Sequence, residues 1–304
     1  MPGPGPRSPA AAAGTWALGD LRVNRIGFGA MRLPQTGEAF AADAAPRDRD
    51  EAIGVLRRAV ELGVNHIDTA AFYFSSLRSA NELINRALAP YPDDLVIATK
   101  VGPGRDPSGA WLPHAGPARL RGQVEENLRQ LGRDHLDLVN LRILGTGSIA
   151  ERFGALAELR EAGLIRHLGL SNVRPHHLAE ARAIAPVVCV QNMYGVGVRP
   201  EQDEFVRVCE EQGVAFVPFY AIAGTGGQAG VRGTDADEVL AVARAHGVSA
   251  AQVRVAWALH RGPHVLVIPG TGDREHLAAN VAAGALRLSE EELHLLDAFH
   301  RREV

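Results

Sequence analysis

The sequence predicts an α/β protein of the (β/α)8 barrel class, and three observations carry that expectation. Short β-branched runs alternate regularly with amphipathic segments from residue 50 onward. Eight such runs are present, the first RIGFG and the last HVLVIPG, each followed by a segment with helical spacing. The whole repeat occupies roughly 250 residues, the usual length of such a barrel. A doubly wound open sheet is the runner-up, but it would be expected to stop near about six strands.

Taken in order, residues 1–14 open with MPGPGPRSPAAAA, which lacks the charged start and Leu-rich core of a secretory signal and reads as a disordered tail. Residues 15–304 read as a single domain. The stretch TWALGDLRVN predicts a β-hairpin about Gly19-Asp20, lying ahead of the main fold as a plug. In RIGFGAM, Gly27 and Gly29 let backbone come close to a ligand, although GxG alone is a weak phosphate motif. Residues 34–49 read as a loop.

A helix with Ile53, Leu56 and Val60 inward follows, then a βαβ unit over residues 62–100. Its strands are 64–67 and 95–99, and its helix turns Leu83, Ile84, Ala87 and Leu88 to one side. After a loop over 101–117, Leu120, Val124, Leu128 and Leu131 mark the next helix, and HLDLVNL the next strand. Leu156 and Leu159 mark a helix before IRHLGLS; a helix over 178–184 precedes VVCVQN; Phe205, Val208 and Cys209 mark one before VAFVPF. A glycine-rich loop over 224–234, helices over 237–246 and 249–260, the strand HVLVIPG and a helix over 275–284 complete the pattern. Ser289 and Glu292 form a capping box for the last helix.

Composition narrows the classes of function. The chain has 304 residues, 46% hydrophobic, with a formal charge of −3. It can bury a large core, and its charge gives no case for nucleic acid or an anionic membrane as partner. No apolar run approaches about 18 residues, so no membrane-spanning helix is expected. Cys189 and Cys209 read as buried small hydrophobes, which fits a cytoplasmic protein. The pair His176-His177 has no companion at metal-ligand spacing, so no metal site is assigned.

Chemistry gathers at strand ends. Asp68 closes one strand, Tyr73 lies in the loop behind it, and Lys100 closes the next. In parallel sheets ligands bind at the C-terminal ends of strands, so the three should meet at one mouth. An ammonium beside a phenol favours release of its proton, and a carboxylate holds the ammonium in place, which makes Tyr73 a candidate proton donor to a carbonyl oxygen. The plain alternative is an Asp–Lys ion pair with a Tyr filling space.

Together, GVNHIDTAAFY, IATK, LSN at 170–172, VQN at 190–192 and IPGTGDREHLAAN resemble the aldo/keto reductases, over residues 20–297 or so. The resemblance implies a barrel that reduces an aldehyde or ketone with hydride from a nicotinamide cofactor, usually NADPH, without metal. It implies catalytic roles for Asp68, Tyr73 and Lys100. It implies that Ser171, Asn172 and Gln191 hold the nicotinamide carboxamide, and that Phe219 stacks on the ring where the family usually has Tyr. Gly29, Met31 and Tyr220 are expected along the same cleft. At the 2′-phosphate of NADP the family's Lys, Ser and Arg correspond to Gly270, Thr271 and His276, with Asn280 at the adenosine and Arg274 as a possible extra cation. NADP is favoured over NAD. The glycines of 224–230 suit a flap over the pyrophosphate.

One departure stands out. The family's catalytic His corresponds here to Arg142, and no His lies nearby in sequence to replace it. Arg does not release its proton at neutral pH, but it can donate hydrogen bonds to a carbonyl oxygen, stabilise a forming alkoxide and attract an anionic substrate. The alternative is an Arg paired with a carboxylate at the barrel floor. Met31, Phe72 and Trp111 are expected around the substrate, Trp16 in the plug and Trp257 in the core. The expected function is NADP-dependent carbonyl reduction. Rivals are a cofactor-binding regulatory subunit with slow turnover and an enzyme working mainly in the oxidative direction.

Overall fold

Seven parallel strands curl in chain order around a common axis, with helices packed outside them. The structure, a computed structural model, describes residues 8–41, 44–223 and 235–302. An antiparallel hairpin of β1 (Thr15–Leu18) and β2 (Leu21–Asn24) comes first. The sheet runs β3 (Phe28–Gly29), β4 (His66–Asp68), β5 (Val96–Val101), β6 (Leu136–Arg142), β7 (Ile165–Ser171), β8 (Val187–Met193) and β9 (Ala215–Phe219). The eighth run, HVLVIPG, closes the ring between β9 and β3 through single parallel bridges, Phe216 to Val265 and Ile26 to Val267. Gly27 N donates to Val267 O at 2.8 Å and Leu266 N to Phe216 O at 2.9 Å. Pro269 and Gly270 follow at once, and proline cannot donate to a ladder, so this run stays shorter than a full strand.

Arg25 rivets the seam. Its Nη2 donates to Leu259 O and Gly262 O at 2.5 Å each, its Nε to Val265 O at 3.2 Å and its Nη1 to Ala13 O at 3.2 Å.

The hairpin plugs the floor as expected. Leu18 and Val23 pack inside the ring with Val96, Ala98, Leu138, Cys189, Ala215, Val217 and Leu266, and Trp16 leans on that cluster. Asp20 at the hairpin turn accepts from Arg166 and His167 of β7, and these contacts hold its carboxyl far below the usual range.

Residues 1–7 of the expected tail lie outside the described residues, and over Pro9–Ala13 the expectation needs correction. Pro9–Ala13 is a 3₁₀ turn with Ala10 and Ala13 buried, and Ala10 N donates to Leu62 O at 3.0 Å. Alanines carry no bulk beyond Cβ, so the turn lies flush on the barrel, and proline at its first position is pre-set for it.

Outside the sheet lie α1 (Arg49–Glu61), α2 (Ala80–Leu88), α3 (Pro117–Leu131), α4 (Ala150–Glu161), α5 (Pro175–Arg182), α6 (Asp203–Glu211), α7 (Asp237–His246), α8 (Ala250–His260), α9 (Arg274–Ala282) and α10 (Glu290–Arg302). The stripes read from spacing face the core: Ile53 and Leu56 on α1, Leu83, Ile84, Ala87 and Leu88 on α2, and Leu120, Val124 and Leu131 on α3 are buried, while Val60 and Leu128 pack against the core only partly buried. Asp48 caps α1, and Ser289 with Glu292 forms the box before α10. Trp257 is fully buried, and both cysteines are free and buried. No helix among the described residues is long and apolar enough to cross a membrane. The glycine-rich segment 224–230 lies outside the described residues.

Candidate active site

The register of the sheet decides which side chains share the mouth. Arg142 pairs with Ser171, and Ser171 with Gln191, so three adjacent strands present polar groups at one level. Asp68 ends β4, Lys100 lies one residue from the end of β5, and Phe219 ends β9.

Lys100 Nζ donates to Asp68 Oδ1 at 2.5 Å and to Thr69 O at 3.2 Å. The second carboxylate oxygen of Asp68 accepts from Gln191 Nε2 at 2.8 Å. Burial works against charge on Lys100, but the Asp68 carboxylate, with the charge and hydroxyl of Tyr73, more than offsets it and holds the ammonium above the ordinary lysine range. The ammonium lies 5.0 Å from the centroid of the Tyr73 ring. Tyr73 is fixed by its own loop: its N donates to Ala70 O and its O accepts from Ala80 N at the start of α2. The carboxylate, the amine and the phenol are therefore gathered, and the plain ion pair is present with the phenol beside it.

Arg142 is at the mouth and not at the floor. Its Nη1 lies 3.4 Å from Ser171 Oγ, its guanidinium carbon 5.2 Å from the Phe219 ring centroid, and among the described residues no carboxylate pairs with it. A histidine distant in sequence, His114 from the loop after β5, does lie against the Arg142 backbone. His114 Nε2–H donates to the carbonyl of Arg142 at 2.7 Å, and Nδ1 accepts from Arg152 at 2.9 Å. Burial, with the charges of Arg152 and Arg142, pushes its pKa down, so the ring is neutral and occupied at both nitrogens. It holds backbone where the family's His would offer a proton. Sequence spacing could not find it, because loop residues carry no periodicity.

The carboxamide subsite fits the group expected there. Gln191 Oε1 is buried with no partner among the described residues, an orphan that a carboxamide N–H would satisfy. Ser171 is fully buried beside it. Asn172 adopts a left-handed backbone, φ 60°, and donates from Nδ2 to Ile143 O at 2.9 Å. The cap position of α5 is Arg174, so neither Ser171 nor Asn172 caps that helix. Phe219 meets Tyr220 edge to face at 5.1 Å.

Two glycines let the loops cross. A Cβ on Gly29 would stand 2.6 Å from Ile268 O, and one on Gly270 2.5 Å from Gly29 O. Beyond them, Thr271 Oγ1 accepts from Asp273 N at 3.1 Å, and Asp273 caps α9 by accepting from Glu275 N and His276 N at 2.8 Å each. Two of the amides at the start of α9 are thus already taken by Asp273. His276 is exposed and Asn280 buried. Arg274 does not reach this loop. It lies across Gly54 of α1, in an outer cavity of ≈ 550 Å³ shared with Arg49, Arg57, Arg58 and Arg86.

Aromatic rings wall the mouth. Trp111, 53% exposed, packs 5.2 Å from Phe40 and 5.8 Å from Phe72. Arg105 sits 4.5 Å from the Phe74 ring and donates to Phe74 O at 2.8 Å. Met31 packs on the main core, partly buried. Phe40 and Arg105 escaped sequence reasoning for the same reason as His114. Among the described residues no cluster of His, Cys, Asp or Glu could hold a metal.

Comparison with known proteins gives the family and the fold. The model of the Aldo/keto reductase family matches residues 25–301. Pyridoxine 4-dehydrogenase of Escherichia coli is 44% identical over 297 residues, covering 95% of this chain and 99% of that protein. A crystal structure of an aldo-keto reductase from Klebsiella pneumoniae in complex with NADPH superposes with a TM-score of 0.75 at 27% identity, covering 92% of each chain. A second structure from that organism, with NADP and acetate, gives 0.74 at 28% identity and the same coverage.

Proposed function

Because the chain belongs to the aldo/keto reductase family, we propose that it interconverts an aldehyde and a primary alcohol on a flat, heteroaromatic ring, with NADP(H) as cofactor. The single observation that carries this reading is the triad of Asp68, Lys100 and Tyr73 under the orphaned oxygen of Gln191. The relative named pyridoxine 4-dehydrogenase and the rings of Phe40, Phe72 and Trp111 support the substrate class. The NADP-bound neighbours support the cofactor.

When bound, the nicotinamide supplies or accepts the hydride. Gln191 and Ser171 orient its carboxamide, and Phe219 offers an aromatic face. In reduction Tyr73 gives its proton to the carbonyl oxygen, and Lys100, fixed by Asp68, steadies the phenolate left behind. Arg142 donates to the same oxygen and stabilises the negative charge forming there, a role that needs no proton release. His114 and Arg152 hold the backbone from which it reaches. The aromatic wall excludes water and selects planar substrates.

Absorbance of reduced nicotinamide, followed with a panel of aromatic and aliphatic aldehydes, tests the reading. Tyr73→Phe is expected to lower kcat by about 10²–10⁴-fold while cofactor binding persists. Unchanged turnover in that variant, or tight cofactor binding without turnover on any carbonyl, would overturn it.

A further inference from the structure

Arg47 precedes α1 and has no obvious part in the chemistry, yet the fold brings it against the loop that should meet the cofactor's tail. Its Nη1 lies 3.4 Å from Gly272 O, its Nη2 3.3 Å from Gln35 O, and Nε and Nη2 3.4 Å from Arg32 O. A Cβ on Gly272 would stand 2.0 Å from the guanidinium carbon, so the group lies flat on the glycine, in room that only glycine leaves. All of these partners are backbone carbonyls at the long end of hydrogen-bond range, and carbonyls do not cancel a full charge. Its charge nevertheless reaches the loop, where it adds to the backbone hydrogen bonds that hold Asp273 below the usual carboxylate range.

The loop needs such a charge. Gly270 carries no side chain, Arg274 is turned away onto α1, and Asp273 both occupies two amides of α9 and brings a negative charge of its own. We infer that Arg47 is the residue by which this chain recognises a phosphate on the 2′ position of an adenosine ribose, supplying from the front of α1 the positive charge that Gly270 lacks. The inference rests on the cofactor reading above. It makes preference for the phosphorylated cofactor a property of two loops in contact, one before α1 and one before α9. It also gives Gly272 a reason to be glycine.

Calorimetry with the intact protein and two probes, adenosine 2′,5′-bisphosphate and adenosine 5′-monophosphate, tests it without turnover. Arg47→Met should weaken the bisphosphate by about 10- to 100-fold, as loss of a charged hydrogen-bonding partner does, and leave the monophosphate unchanged. Arg47→Lys should restore most of the loss, and added salt should narrow the gap between the two probes. Equal weakening of both probes would make Arg47 a loop staple only and overturn the inference, as would no weakening of either. If the wild type binds the two probes equally, the inference falls while the nicotinamide reading stands. If it binds neither, both fall. Matching thermal melts of the variants confirm that the fold is intact.

Discussion

At the scale of single residues, burial and partner charge pull in opposite directions, and the outcome differs from site to site. Lys100 keeps its proton because Asp68 and Tyr73 together outweigh burial. The stability its charge contributes is complete below the ordinary lysine value of 10.5 and is lost only as pH climbs through its raised value. His66, at the start of β4, has no such partner, and burial pushes its pKa from 6.5 down to about 4. The unfolded chain therefore binds a proton there before the folded one does. Stability is expected to fall as pH drops through 6.5 and to level off below about 4, by ~3 kcal/mol in total. Urea unfolding across that range, with His66→Leu as a reference that flattens the slope, checks it. Asp68, Lys100 and Gln191 were legible because strand ends of a parallel barrel point to its mouth. His114, Phe40, Arg105 and Arg47 were not, since each sits in a loop whose path no periodic signal encodes.

At the scale of elements, the crossing of the β3 end with the loop after Val267 sets the shape of the mouth. Gly270→Ala would put a methyl carbon 2.5 Å from Gly29 O, a backbone atom that cannot step aside alone. The expected cost is about 1–3 kcal/mol of stability, with weaker cofactor binding, read by thermal melting and by cofactor titration. Helices were easier to read than strands here. The stripes on α1, α2 and α3 span several turns, and the Ser289–Glu292 box announces the last helix, whereas β3 and the closing run keep two or three bonded residues each because glycine and proline cut them short. The Pro9–Ala13 turn was missed because alanine and proline are as common in tails as in snug surface turns.

At the scale of the whole molecule, closure was legible from counting, but the means of closure was not. Eight runs imply a ring, yet the weakest joint, between the first and last of them, is secured by one side chain. Arg25→Met would leave the carbonyls of Leu259, Gly262, Val265 and Ala13 without their donor. A loss of about 3 kcal/mol or more is expected, measured by urea unfolding. Cys189 gives that joint an indicator of its own. Its sulfur is sealed inside the ring above the plug, with its thiol held protonated by burial, so an alkylating reagent can reach it only when the staves part. The pace at which the native protein takes up such a label thus counts how often the cask comes open.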